Sequence, residues 1–112
     1  MKKILAIEDE QINQDLYKHI LSVAFPNYEV YQAFDGEEGL KIVFEELPDT
    51  ILLDIKLPDM DGTDICRILK SDDRSKDIPI VMISALGNDT EVRVRALNAG
   101  ADIVVVGTAI EQ

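Results

Sequence analysis

Five short apolar runs alternate along this chain with four stretches of helical spacing, and that alternation limits the fold more than any other feature. The runs are Lys3 to Ile7, Tyr28 to Phe34, Thr50 to Asp54, Pro79 to Ile83 and Ile103 to Val106. Each is short and bounded by turn or capping residues, as buried strands are. A βαβαβαβαβ order at this spacing predicts a parallel sheet with right-handed crossovers and helices on both faces. Repeats, linkers and low-complexity runs are absent, so residues 1–112 are expected to form one α/β domain with a single core.

Between the strands, the helices announce their own limits. Ile12, Leu16, Ile20, Val23 and Ala24 recur at helical spacing until Pro26-Asn27 stops them. His19 falls between those apolar positions and is expected to face solvent. Asp35 and Glu38 are spaced as a capping pair, ahead of a stripe of Leu40, Val43, Phe44 and Leu47 that Pro48 ends. Asp61-Gly62-Thr63-Asp64 opens a third helix with Ile65, Ile68 and Leu69 inward, and Cys66 reads as a small buried hydrophobe. Asn88 and Glu91 form a second capping pair, Val92, Ala96, Leu97 and Ala99 are expected in the core, and Gly100 in a left-handed cap.

Charge and composition exclude several roles. A net charge of −11 opposes direct nucleic-acid binding, which needs clustered Lys and Arg, and favours cations and basic partners. One cysteine rules out an internal disulfide. No segment has the length of a membrane span, and the apolar run after Met1-Lys2-Lys3 is too short for a signal peptide, so a cytoplasmic location is expected.

Chemistry concentrates at the strand ends. Ile51-Leu52-Leu53 runs straight into Asp54, followed by a turn rich in Pro, Asp and Gly. A buried strand offers a carboxylate no place except its carboxyl end, where open parallel sheets bind ligands; the blander reading is that Asp54 opens the turn. The first strand ends in Glu8-Asp9-Glu10 and the fourth in Ser84-Ala85. With strands one and three adjacent where strand order reverses, Glu8, Asp9 and Asp54 converge. Clustered carboxylates need compensation, and Mg²⁺ suits such hard oxygen ligands. Ser84 could then donate to a phosphoryl oxygen.

These segments resemble the receiver domain of two-component response regulators, the chemotaxis-regulator-like family, from Lys2 to about Asp102. Ile51 to Gly62 is similar to the phosphoacceptor motif, Ile4 to Glu10 to the acidic-pair motif, Met82 to Ala85 to the Ser/Thr-Ala motif, and Asn98 to Asp102 to the approach to strand five. The resemblance implies a flavodoxin-like doubly wound sheet of order 2-1-3-4-5. It implies a phosphorelay signalling module in which Asp54 accepts phosphate from a histidine kinase or phosphotransfer protein and a downstream protein partner reads the result. Asp9, Asp54 and the backbone carbonyl of Lys56 would ligate Mg²⁺ directly, with Glu8 acting through water and Ser84 contacting the phosphoryl group. Any enzymatic activity would be limited to the module's own phosphorylation and dephosphorylation.

The chain departs from the pattern after Asp102. Where the family has an aromatic residue, then lysine and proline, this sequence has Val104, Gly107 and Thr108, and no Lys or Arg follows Arg95. Too few residues follow Val106 for a last helix, which is therefore expected to be missing. Residues 103–112 form an atypical tail: Gly100 to Ile110 is similar to a phosphate-binding strand of (βα)₈-barrel enzymes. A diverged receiver strand, a truncated natural receiver and a spliced or engineered tail all account for it. The alternative function is accordingly a non-phosphorylatable pseudo-receiver or receiver fragment acting in interaction or dimerisation. A homodimer is expected, through edge pairing of strand five or exchange of a terminal element.

Overall fold

The computed structural model describes residues 1–84 and 90–106. Its elements are β1 (Lys2–Ile7), α1 (Gln11–Ala24), β2 (Tyr28–Ala33), α2 (Gly36–Glu46), β3 (Thr50–Asp54), α3 (Gly62–Lys70), β4 (Ile80–Ser84), α4 (Thr90–Asn98) and β5 (Ile103–Val106). The five strands are parallel in the order β2-β1-β3-β4-β5. Strand order thus reverses between β1 and β3, which places the carboxyl ends of those two strands side by side.

Register divides the strand residues between two faces. On one face, Leu5, Ile51 and Ile80 form one row and Ile7, Leu53, Met82 and Val104 the next. These rows pack with Val43 of α2, Ile65, Cys66 and Leu69 of α3, and Val92 and Ala96 of α4 in one buried cluster. Truncating a fully buried member such as Leu53 to Ala would cost about 2–5 kcal/mol. The opposite face carries the row Ala6, Leu52, Val81 and Ile103, with Ile83 and Val105 beyond it. Helix α1 lies over the β1 end of that face, where the Gln14 amide donates to the carbonyls of Ala6, Glu8 and Ala33.

Several expectations about helix faces are corrected. The apolar stripe of α1 does not enter the core: Ile12, Leu16, Ile20 and Val23 are exposed, and the one fully buried side chain of the helix is Gln14. An amide wins the inward position because three backbone carbonyls at the ends of β1 and β2 lie within its reach. Leu47 is half exposed because it is the C-cap of α2, in left-handed backbone with φ 45°, and its side chain leaves the helical stripe. Ile68 and Leu97 are also exposed, whereas Ile65, Leu69, Val92, Ala96 and Ala99 are buried as expected.

The caps follow the sequence closely. Asp35 accepts from Glu38 N at 2.8 Å, while the Glu38 carboxylate reaches back to Phe34 N, one residue before the expected partner. Gly100 has φ +107° beyond α4, a conformation that a side chain would strain. Cys66 is buried and His19 exposed, both as expected. The Asn88 half of the second capping pair, Ala85, and the tail positions Gly107 and Thr108 lie outside the described residues.

Candidate functional site

The site is built where β1 and β3 end. Ile7 pairs with Leu53, so the next residues, Glu8 and Asp54, leave adjacent strands at the same level. Glu8, Asp9 and Asp54 each offer a carboxylate oxygen, and the three atoms lie within 4.8 Å of one another. Their exposures differ: Glu8 is buried, Asp54 half-buried and Asp9 exposed. Both Glu8 oxygens are engaged, accepting from Glu10 N at 2.9 Å and Asn13 Nδ2 at 3.2 Å. Asp54 accepts from Lys56 N at 3.2 Å, which folds the following turn over the carboxylate.

Three acidic groups so close cannot all keep ordinary acidity. Burial, first, and the neighbouring acids push Glu8 up to about 7. Burial also raises Asp54, with Asp9 and Glu10 adding to the shift and the Lys56 N–H opposing it. Such a cluster holds more negative charge than its surroundings neutralise. Its donors are hard carboxylate oxygens, and they suit a hard divalent cation that keeps some of its water.

The turn after Asp54 is braced on every side. Gly62 N donates to Ile55 O at 2.7 Å, and a Cβ on Gly62 would lie 2.4 Å from Asp54 O, so only glycine fits. Asp61 caps α3 by accepting from Thr63 N and pairs with Arg95 of α4 at 3.1 Å. Asp59 accepts from Gly36 N at 2.8 Å and Glu37 N at 2.9 Å, tying the turn to the start of α2. Ser84 is buried at the end of β4, one residue beyond Ile83, the partner of Asp54.

All the predicted acidic residues therefore come together, with Ser84 on the next strand. Sequence reasoning missed Asp59 and Gln14. An aspartate in a turn already explained by Pro and Gly carries no further signal, and Gln14 was hidden by the apolar spacing beside it. A shallow depression of about 400 Å³ at the start of α2 is lined by Asp35, Glu37, Glu38 and Lys41, away from the cluster. Two of its carboxylates already serve as caps.

A doubly wound parallel sheet with a carboxylate cluster at its switch point defines an α/β domain with an acidic site at the carboxyl ends of its strands. Residues 4–107 match the response regulator receiver domain, and the chain belongs to that family. It is 38% identical over 102 residues to the DNA-binding dual master transcriptional regulator RpaA of Synechocystis, covering 91% of this chain and 41% of that protein. It is 39% identical over 99 residues to the response regulator PleD of Caulobacter vibrioides, covering 88% of this chain and 21% of that protein. The chain thus spans well under half the length of these relatives. Among solved structures, a CheY-like receiver domain protein from Methanospirillum hungatei superposes with a TM-score of 0.84 at 34% identity, covering 96% of this chain and 82% of that one. The chain is therefore a receiver domain of the two-component type with the expected strand order. No helix among the described residues is long and apolar enough to cross a membrane.

Proposed function

We propose that this chain works as a phosphoacceptor module, with Asp54 as the residue that takes the phosphoryl group. The convergence of Glu8, Asp9 and Asp54 at the β1/β3 switch point carries this reading. In the reaction, an Asp54 carboxylate oxygen attacks phosphorus in line with the bond to the donor. The new O–P bond makes an acyl phosphate, and the bond to the donor nitrogen of a phosphohistidine breaks with its electron pair returning to the imidazole. Asp9, Asp54 and the Lys56 carbonyl would hold Mg²⁺, with Glu8 acting through water, since its two oxygens already accept hydrogen bonds. When bound, the cation would neutralise charge on the transferred oxygens. The braced turn holds Asp54 in place, and Ser84 would donate to a phosphoryl oxygen after transfer.

A histidine kinase or phosphotransfer protein would be the donor and a downstream protein the reader, within one receiver domain in the cytoplasm. The net charge of −11 weighs against direct contact with nucleic acid. The test is incubation with a small phosphodonor and Mg²⁺ followed by intact-mass measurement. One phosphoryl addition is expected, abolished by Asp54→Asn and by chelation. An unmodified wild-type chain, or a modified Asp54→Asn chain, would refute the assignment.

A further inference from the structure

Asn13 and Gln14 stand side by side at the start of α1, and both reach back to the residue that opens the acidic site. Hydrogen bonds hold Glu8 at each of its polar groups. Its N–H donates to Ala33 O at 2.9 Å, and its carbonyl accepts from Gln14 Nε2 at 3.1 Å. Its two carboxylate oxygens accept from Glu10 N at 2.9 Å and Asn13 Nδ2 at 3.2 Å. Gln14 is fully buried and fixes the backbone, while Asn13 is half-buried and fixes the side chain. Successive helical residues diverge by about 100°, so one helix start serves both ends of Glu8.

The donors share a second property. Among the described residues, the nitrogens that reach the carboxylates of Glu8 and Asp54 are Glu10 N, Asn13 Nδ2 and Lys56 N, all uncharged. No ion pair among those residues involves Glu8, Asp9 or Asp54. A lysine at position 13 would hold Glu8 as firmly, but its charge would take the place of a cation. An aliphatic side chain would leave Glu8 to turn away from Asp9 and Asp54, which repel it. The amide anchors the carboxylate and leaves the negative charge of the cluster intact. Asparagine is a weak helix former, so local structure gives no reason for it at this position.

We propose that Asn13 is a positioning residue of the acidic site. Its amide holds the Glu8 carboxylate beside Asp9 and Asp54 and so sets the affinity for a divalent cation, while Gln14 fixes the backbone from which Glu8 projects. This role rests on the assignment of Glu8, Asp9 and Asp54 as a cation site, and adds to it a side chain that touches no ligand. Loss of a group that orients a metal-binding side chain costs about ten- to a hundredfold in affinity. The lower end applies here, because Glu10 N still holds the other Glu8 oxygen.

Calorimetric titration with Mg²⁺ alone, beside thermal melts without metal, tests the assignment. Asn13→Ala should weaken Mg²⁺ binding about tenfold. Its metal-free midpoint should stay close to wild type, because the better helix former offsets the lost hydrogen bond. Asn13→Lys should weaken binding at least as much, yet melt at or above the wild-type temperature without metal, because the ammonium relieves repulsion among the three carboxylates. A merely structural Asn13 would let stability and affinity fall together, or leave both unchanged, and either result overturns the proposal. Wild-type affinity in Asn13→Ala or Asn13→Lys, with weak binding by Asp54→Asn, sinks the positioning role and leaves the cation site standing. A wild-type chain that binds no Mg²⁺ sinks both.

Discussion

Asp59 shows how one exposed side chain can govern a site that it does not enter. Its two oxygens accept the Gly36 and Glu37 N–H groups, and Asp35 accepts that of Glu38, so two carboxylates satisfy three free donors in the first turn of α2. Those backbone donors hold the Asp59 carboxyl below the ordinary value of 3.8. A carboxyl whose acidity is strengthened by folding stabilises the protein fully above its unfolded value, and that contribution disappears as pH falls through the folded value. Asp59→Ala should lower the thermal midpoint by a few degrees at neutral pH, and Asp59→Asn by less, because the amide keeps one acceptor. The gap between wild type and Asp59→Ala should close as pH drops below 3.8. Thermal melts across that range check it; a gap independent of pH would mean that the ionised carboxylate is not what holds the turn to α2.

At the scale of elements, the same junction depends on shape as well as charge. A Cβ on Gly36 would lie 2.3 Å from Met60 Cγ and 2.9 Å from Ile65 Cδ1, so the turn after β3 rests directly on the backbone of α2. Gly36→Ala should destabilise by about 1–3 kcal/mol through overpacking, and Met60→Ala should remove much of that penalty by opening the space. Denaturant unfolding of the two single variants and the double variant measures the coupling; additive effects would show that Met60 is not the obstacle. This contact was not legible in the sequence, where Gly36 and Met60 are far apart. What was legible obeys local rules: five strand runs, the Asp35–Glu38 cap, the Asp61 opening of α3, and Gly100 as a left-handed cap. The carboxylate cluster was legible too, because buried strands leave Asp54 and Glu8 nowhere but the carboxyl ends. Helix orientation was not. Apolar spacing reveals that α1 has two faces, but which one meets the sheet was decided by carbonyls at the ends of β1 and β2 to which the buried Gln14 amide donates. Leu97 and Ile68 were misplaced for a related reason: they sit at the border of a stripe, where spacing alone cannot separate core from rim.

Across the whole molecule, acidic groups outnumber basic ones 22 to 11, and many of them gather at the carboxyl end of the sheet. Glu8, Asp9 and Glu10 follow β1, Asp35, Glu37 and Glu38 follow β2, and Asp54 ends β3 with Asp59 and Asp61 after it. Two distinct effects of cations should result. Monovalent salt screens the general repulsion and should raise the midpoint gradually as the Debye length shrinks to about 8 Å at physiological ionic strength. Magnesium should act at much lower concentration, because a site that binds only the folded state stabilises it by mass action. Asp54→Asn separates the two effects, since it removes a carboxylate from the cluster and leaves the surrounding field nearly intact. Thermal melts at a concentration too low for self-association should show a steep Mg²⁺ response in wild type that is weakened in Asp54→Asn, and similar responses to NaCl in both. Equal gains from NaCl and MgCl₂ at matched ionic strength would reduce the acidic cluster to one more patch of repelling charge, and with it the case for a phosphoacceptor site at the end of β3.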